Sequence, residues 1–223
     1  PLVSIIIPTR DRENRLLKTL QLISQNTIDY NPYEVIIVID KSTHDYMFLY
    51  GIKDIFPIRR IKVYRSKERL EIWRAYKKGL ELAEGDYIAM LADDIEVCSR
   101  WLSFGMQEMQ VNLKGDGVLG LWDGIKKETQ QATHFLISKK KMIEYWVDEY
   151  IHYGLDVEIS YRAKKENCFL HSKKAIALHN HRLINKEKAD TVYTESMKNY
   201  EHDKIIWQRR LKEKKLEGVL EKG

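Results

Sequence analysis

Three runs of consecutive apolar residues constrain the fold of this chain more than any other feature: Leu2-Val3-Ser4-Ile5-Ile6-Ile7, Val35-Ile36-Ile37-Val38-Ile39 and Tyr87-Ile88-Ala89-Met90-Leu91. A strand with one face in water alternates apolar and polar side chains. These runs do not alternate, so they read as strands buried on both faces. Ile61-Lys62-Val63-Tyr64 adds a shorter candidate. Helical spacing separates the strands: Leu16, Leu17, Leu20 and Ile23 recur between Arg12 and Gln25, and Ile72, Ala75, Tyr76, Leu80 and Ala83 precede Gly85, a natural helix stop. The alternation predicts an α/β domain with a mostly parallel central sheet and helices on both faces. Pro8, which has no N–H to give a ladder, is expected to end the first strand.

Open sheets of this kind bind ligands beyond the carboxyl ends of their strands. There the sequence places Pro8-Thr9-Arg10, Asp40 and Asp93-Asp94. Paired carboxylates after a strand can hold Mg²⁺ or Mn²⁺ and leave coordination positions for phosphate oxygens. They can equally cap a helix entering at Trp101-Leu102, and Asp40 can simply start a turn. The second half is less regular. Gly115 to Gly124 reads as a loop or short strand near the site. Ser138 is placed to cap a helix through Met142 and Tyr145, Leu155 to Lys165 reads as a helix, and Lys174 to Leu178 as a strand. Lys186 to Lys215 reads as a mostly helical tail packed through Ile205, Ile206 and Leu211. His134, His152 and His171 stand alone and read as structural or exposed.

Composition narrows the function. With 43% hydrophobic residues the chain can fill a core, which excludes global disorder. A net charge of +5, from 38 basic and 33 acidic residues, favours anionic partners without naming one. A nucleic-acid-binding module is disfavoured, because no basic run is interleaved with stacking aromatics. A nucleotidyltransferase would carry a glycine-rich phosphate loop after its first strand, and Pro8-Thr9-Arg10-Asp11-Arg12 contains no glycine. Two distant cysteines, Cys98 and Cys168, suit a reducing cytoplasm. No apolar run approaches the ~20 residues of a membrane span, and the N-terminal run is too short for a signal peptide. A soluble, cytoplasmic protein is expected, with contact to the inner face of a membrane or a second copy through the basic tail as further options.

Taken in order, Val3-Ser4-Ile5-Ile6-Ile7-Pro8-Thr9-Arg10, Val35 to Asp40, Gly85 to Asp94, Gly154 to Arg162 and the pair His179 and His181 form a pattern that resembles family 2 glycosyltransferases of the GT-A fold. The resemblance implies a nucleotide-sugar-binding part over residues 1–115, an acceptor-binding and catalytic part over 116–182, and a charged helical tail over 183–223. It implies an inverting transfer from a nucleotide-diphosphate sugar, typically a UDP-sugar, to an acceptor hydroxyl of a glycan or lipid-linked molecule. Pro8, Thr9, Arg10, Asp40, Arg69 and Asp93 would line the donor pocket. Asp94 and His179 would hold Mn²⁺ or Mg²⁺, and Asp156 would be the catalytic base. Trp122, Asp123 and His181 would contact sugar or acceptor. Three features depart from the pattern: Ala92 stands where an acid is common, the segment Arg69 to Gly79 shows Arg69, Glu71 and Tyr76 in place of the usual asparagine and arginine positions, and Leu155 stands where an acid usually precedes the base.

Overall fold

The computed structural model describes residues 1–52, 56, 58, 60–124, 131–179, 194–195 and 197–213. Among these, strands β1 (Val3–Thr9), β2 (Tyr33–Asp40), β3 (Ile61–Ser66), β4 (Tyr87–Met90), β5 (Ile95–Val97), β6 (Val118–Trp122), β7 (Phe135–Ser138) and β8 (Phe169–His179) form one sheet in the order β3-β2-β1-β4-β7-β6-β8-β5. The helices are α1 (Glu13–Asn26), α2 (Glu71–Leu82), α3 (Trp101–Asn112), α4 (Lys139–Tyr145), α5 (Leu155–Lys165) and α6 (Tyr200–Glu213).

The apolar runs become the middle of a three-layer sandwich. Val3, Ile5, Ile7, Val35, Ile37 and Ile39 face a core completed by Leu16, Leu20 and Ile23 of α1 and by Trp101, Met106 and Met109 of α3. Ile6, Ile36, Val38, Ile88 and Met90 face the opposite core, closed by Trp73 and Tyr76 of α2, Tyr145 of α4 and Ile159 of α5. Successive side chains of a strand point to opposite faces, so burial on both faces requires an unbroken apolar run. The expected layered α/β/α architecture is the one observed.

The sheet is mostly parallel, as expected, with β5 and β7 running against the rest. β1, β2, β3 and β4 run parallel, β7 runs antiparallel to β4, β6 antiparallel to β7, and β8 parallel to β6. The result is that β1, β2, β4, β6 and β8 all end at one edge, and β7 begins there. Pro8 lies inside β1, paired with Val38, instead of ending the strand. The glycine-rich stretch holds core strand β6. The helix at Leu155 to Lys165 forms as expected, and Ser138 caps α4, its hydroxyl accepting from the Lys141 amide at 3.2 Å.

Two close approaches fix the helices that frame this edge. A Cβ on Gly79 would stand 2.3 Å from Ile6 Cγ2, so only glycine lets α2 lie this near β1. Gly154, at φ +93°, turns the chain into α5 against the Tyr150 ring. The tail makes only part of the expected contact. Ile205 is 66% exposed, while Asp203 is buried and Ile206 and Trp207 pack on the core. Among the described residues, no helix is long and apolar enough to cross a membrane.

Candidate active site

The shared edge of the sheet holds a cavity of about 300 Å³. Thr9 and Arg10 enter it from the end of β1, Asp40 from the end of β2, Asp93 and Asp94 from the turn after β4, and His179 from the end of β8. Pro8, Arg69 and Asp156 also line it. Asp40, Asp94 and Asp156, distant in sequence, therefore share one hollow.

Each acidic group is held by its own set of contacts. The Asp93 carboxylate accepts from the Thr9 hydroxyl at 2.8 Å and pairs with the Arg12 guanidinium at 3.3 Å. The backbone around it is tied down on both sides. Thr19 Oγ1 donates to the Asp93 and Ile95 carbonyls at 2.9 and 3.0 Å, and the Tyr76 hydroxyl donates to Leu91 O at 2.8 Å. Asp93 and Asp94 do not cap α3, because strand β5 intervenes. β5 pairs antiparallel with β8 in a register that sets Ile95 opposite His179. Asp94 consequently lies 3.3 Å from His179 Nε2, with Arg15 at 3.5 Å.

The two neighbouring acids differ electrostatically. Burial raises the Asp93 carboxyl above the ordinary range, against the pull of Arg12. Burial acts on Asp94 in the same direction. The neighbouring His179, with Arg12 and His134, outweighs it and holds Asp94 below the ordinary range.

Asp40 receives the Leu70 and Glu71 amides at 2.6 and 3.2 Å and pairs with Arg69. Its carboxylate thus sits at the N-terminus of α2, where a negative charge is favoured. Asp156 occupies the first turn of α5, another helix N-terminus suited to an anion. Arg162, one turn and a half on, stacks its guanidinium 4.3 Å from the Tyr145 ring centroid and serves packing.

The cavity residues that escaped the sequence reading include Arg12, Trp73, His134, His152 and Tyr153. His134 precedes β7 and sets its ring edge-on to His179, centroids 4.8 Å apart. His152 lies in the turn before α5. Burial, then the Arg69 charge and more weakly Arg12, depress its pKa to about 4, with Asp203 opposing, so its imidazole is neutral at physiological pH. His171 is buried against Phe169 and does not line the cavity. Trp122 and Asp123 are also absent from the lining; the Asp123 carbonyl instead accepts from the His179 amide at 3.1 Å. His181 lies outside the described residues.

The site can be tested for a divalent cation from its own donors. Among the described residues, no three acidic, histidine or cysteine side chains converge as a ready metal cage. Asp94 and His179 do form a carboxylate–imidazole pair, and Asp94 Oδ1 is buried without a hydrogen bond of good geometry. A cation that keeps most of its coordination for phosphate and water needs only one or two protein donors. The pair fits that requirement.

Comparison with known proteins bears on the fold and the family. Solved structures of the same fold include S. aureus TarS residues 1–349, with TM-score 0.67 and 15% identity over 80% of this chain and 60% of that one. The TarS complex with UDP-GlcNAc has TM-score 0.65 and 15% identity over 88% and 64%. The mannosyltransferase PcManGT from Pyrobaculum calidifontis, in complex with GDP-Man and Mn²⁺, has TM-score 0.67 and 13% identity over 79% and 56%. In sequence, the uncharacterized protein y4gI of Sinorhizobium fredii (strain NBRC 101917 / NGR234) is 34% identical over 105 residues, 46% of this chain and 11% of that protein. This chain therefore spans a small part of that relative and under two thirds of the similar solved chains. The pattern of Glycosyl transferase family 2 matches residues 4–192, most of the chain and every strand described above, and the protein belongs to that family.

Proposed function

We propose that this chain transfers a sugar from a nucleotide-diphosphate donor, a UDP-sugar, to an acceptor hydroxyl of a glycan, glycolipid or related molecule, with inversion at the anomeric carbon. The observation that carries this reading is the convergence of Asp40, Asp94 and Asp156 on one cavity that also receives Arg10, Arg12 and Arg69. Four carboxylates, Asp93 among them, and three guanidiniums in one hollow suit a ligand that is anionic at one end and rich in hydroxyls at the other. UDP and UDP-GlcNAc occupy TarS structures, and GDP-Man occupies PcManGT, which makes GDP-sugars the competing donor class.

The roles follow from the chemistry. A sugar hydroxyl is a weak nucleophile. Asp156, at the helix start facing the cavity, accepts its proton as the new C–O bond forms. Attack from the face opposite the departing diphosphate inverts the anomeric centre. Arg10 and Arg12 lie at the end of β1, where guanidiniums meet phosphate oxygens with charge-assisted hydrogen bonds. Asp40, with Pro8 and Thr9 beside it, reads the nucleobase, and Arg69 exchanges its carboxylate partner for the donor. Asp94 and His179 are the residues that would hold Mn²⁺ or Mg²⁺, which when bound neutralises charge developing on the leaving diphosphate.

The test is a screen of UDP- and GDP-sugars with Mn²⁺ for nucleoside diphosphate release, followed by Asp156→Asn on the donor that turns over. The expected result is a kcat lower by about 10²–10⁴-fold with donor affinity preserved, the range removed with a general base. Full turnover in Asp156→Asn, or loss of donor binding equal to the loss of rate, contradicts the assignment.

A further inference from the structure

Helix α6 is mostly exposed and charged, yet it buries one carboxylate almost completely. Asp203 is 1% exposed. Its two oxygens accept from three consecutive backbone amides: Ile151 at 3.0 Å, His152 at 2.7 Å and Tyr153 at 2.7 Å. Successive amides turned onto one anion form a nest, and bonds to an ionised acceptor are about twice as strong as neutral ones.

A second grip lies on the same face of α6, at the i, i+7 position. Arg210 donates through Nε and Nη2 to the two oxygens of Glu158 at 2.7 and 2.8 Å. Glu158 is fully buried in α5, and the Tyr150 hydroxyl donates to it at 3.0 Å. Aromatic contacts fill the space between, with Tyr153 edge-on to Tyr200 and Tyr161 stacked on Trp207. The chain is thus held at 151–153 and again at 158, and Asp156 lies between the two holds.

Hydrophobic docking alone would not need this arrangement. Ile206 and Trp207 already pack against the core. A buried carboxylate on this surface helix, and a part-buried guanidinium on the fully buried Glu158, must be matched by donors and acceptors that fix geometry, since a displaced buried charge is left unsatisfied. The segment they fix contributes His152, Tyr153 and Asp156 to the cavity.

We infer that Asp203 and Arg210 are positioning residues of the transfer reaction, acting through residues 151–153 and Glu158 to set where Asp156 meets the acceptor. This rests on the proposed function and assigns α6 a part in it. Asp203 itself does not line the cavity, so its effect falls on the rate of transfer and spares the donor.

The test compares wild type, Asp203→Asn and Arg209→Ala in the full chain. UDP release from UDP-GlcNAc with Mn²⁺ gives kcat and KM, calorimetry gives UDP–Mn²⁺ affinity, and hydrogen exchange follows the amides of residues 151–153. Asn has one acceptor oxygen where Asp has two, and its NH₂ opposes at least one amide. The expected result for Asp203→Asn is a kcat lower by ten-fold or more, UDP affinity within two-fold of wild type, and faster exchange at 151–153. Arg209, in an exposed pair with Glu149, is expected to change none of these.

Faster exchange with unchanged kcat overturns the inference, because docking would then be purely structural. Loss of kcat together with UDP affinity also overturns it. If Asp203→Asn does not fold, the double variant Glu158→Gln with Arg210→Met removes the second hold without leaving a buried charge. The same selective loss of kcat is expected there, and unchanged kcat overturns the inference. A wild type that binds UDP and turns over no nucleotide sugar sinks the proposed function, and this inference with it. An active wild type matched by equally active variants sinks only the inference.

Discussion

Tyr76→Phe removes one oxygen and tests how the acidic turn is held. The Tyr76 hydroxyl donates to the Leu91 carbonyl at 2.8 Å, Leu91 is fully buried, and Asp93 follows two residues later. A buried acceptor left unsatisfied costs about 1–3 kcal/mol, and the ring itself keeps its packing against Trp73, centroids 5.6 Å apart. The expected loss is therefore about 2 kcal/mol. For a chain of this size that is a fall in Tm of about 4–8 °C. Urea titration at fixed pH measures it directly: the midpoint should drop while the slope m stays constant, since the surface exposed on unfolding does not change. Because Leu91 leads into Asp93 and Asp94, UDP–Mn²⁺ affinity should weaken as well. A stability change under about 0.5 kcal/mol would refute the reasoning, for the bond would then contribute nothing beyond the average surface contact.

Two further outcomes follow from packing and charge. Gly79→Ala places a methyl 2.3 Å from Ile6 Cγ2, so α2 must move off β1; a destabilisation of about 1–3 kcal/mol is expected in the same titration, and a neutral or stabilised variant would contradict the close approach. Glu34 is buried, which raises its pKa, but the Ser4 hydroxyl, the Glu84 amide and Lys62 outweigh burial and hold it below the ordinary value. A carboxyl whose folded pKa lies below its unfolded value, about 4.3, contributes stability in full above that value and loses it as pH falls through the folded one. Glu34→Gln is thus expected to flatten the acid side of the urea-midpoint profile. An unchanged acid limb would show that the network carries no proton linkage.

Legibility in the sequence followed how local each signal is. The runs at Val3, Val35 and Tyr87 announced buried strands because burial on two faces writes itself into every residue. The Leu155 helix and the Ser138 cap were readable for the same reason: periodicity and capping act within a few residues. β5 and β7 were not read. They are three and four residues long, and their pairing with β8 and β4 depends on segments far away in the chain.

Those unread strands also explain the unread part of the site. His134 reaches the cavity only because β7 runs antiparallel, so the residue before it stands at the carboxyl edge of its neighbours. His152 arrives through a turn that Asp203 holds from the tail, a contact no local pattern encodes. Asp94 and Asp40 were legible as strand-end acids, whereas Asp156 was singled out by resemblance alone. Of the expected tail contacts Ile206 packs on the core and Ile205 does not, because α6 docks through Asp203 on backbone amides and the Arg210–Glu158 ion pair more than through a stripe of aliphatic residues.

The proposed transfer depends on a nucleoside diphosphate binding at Asp94 together with a divalent cation. Calorimetric titration of UDP into wild type and Asp94→Ala, each with Mn²⁺ and then with chelator, measures this without requiring an acceptor. Wild type is expected to bind UDP only when Mn²⁺ is present, and Asp94→Ala to lose at least ten-fold in affinity. UDP binding indifferent to Mn²⁺, or equal in the two proteins, would contradict this dependence.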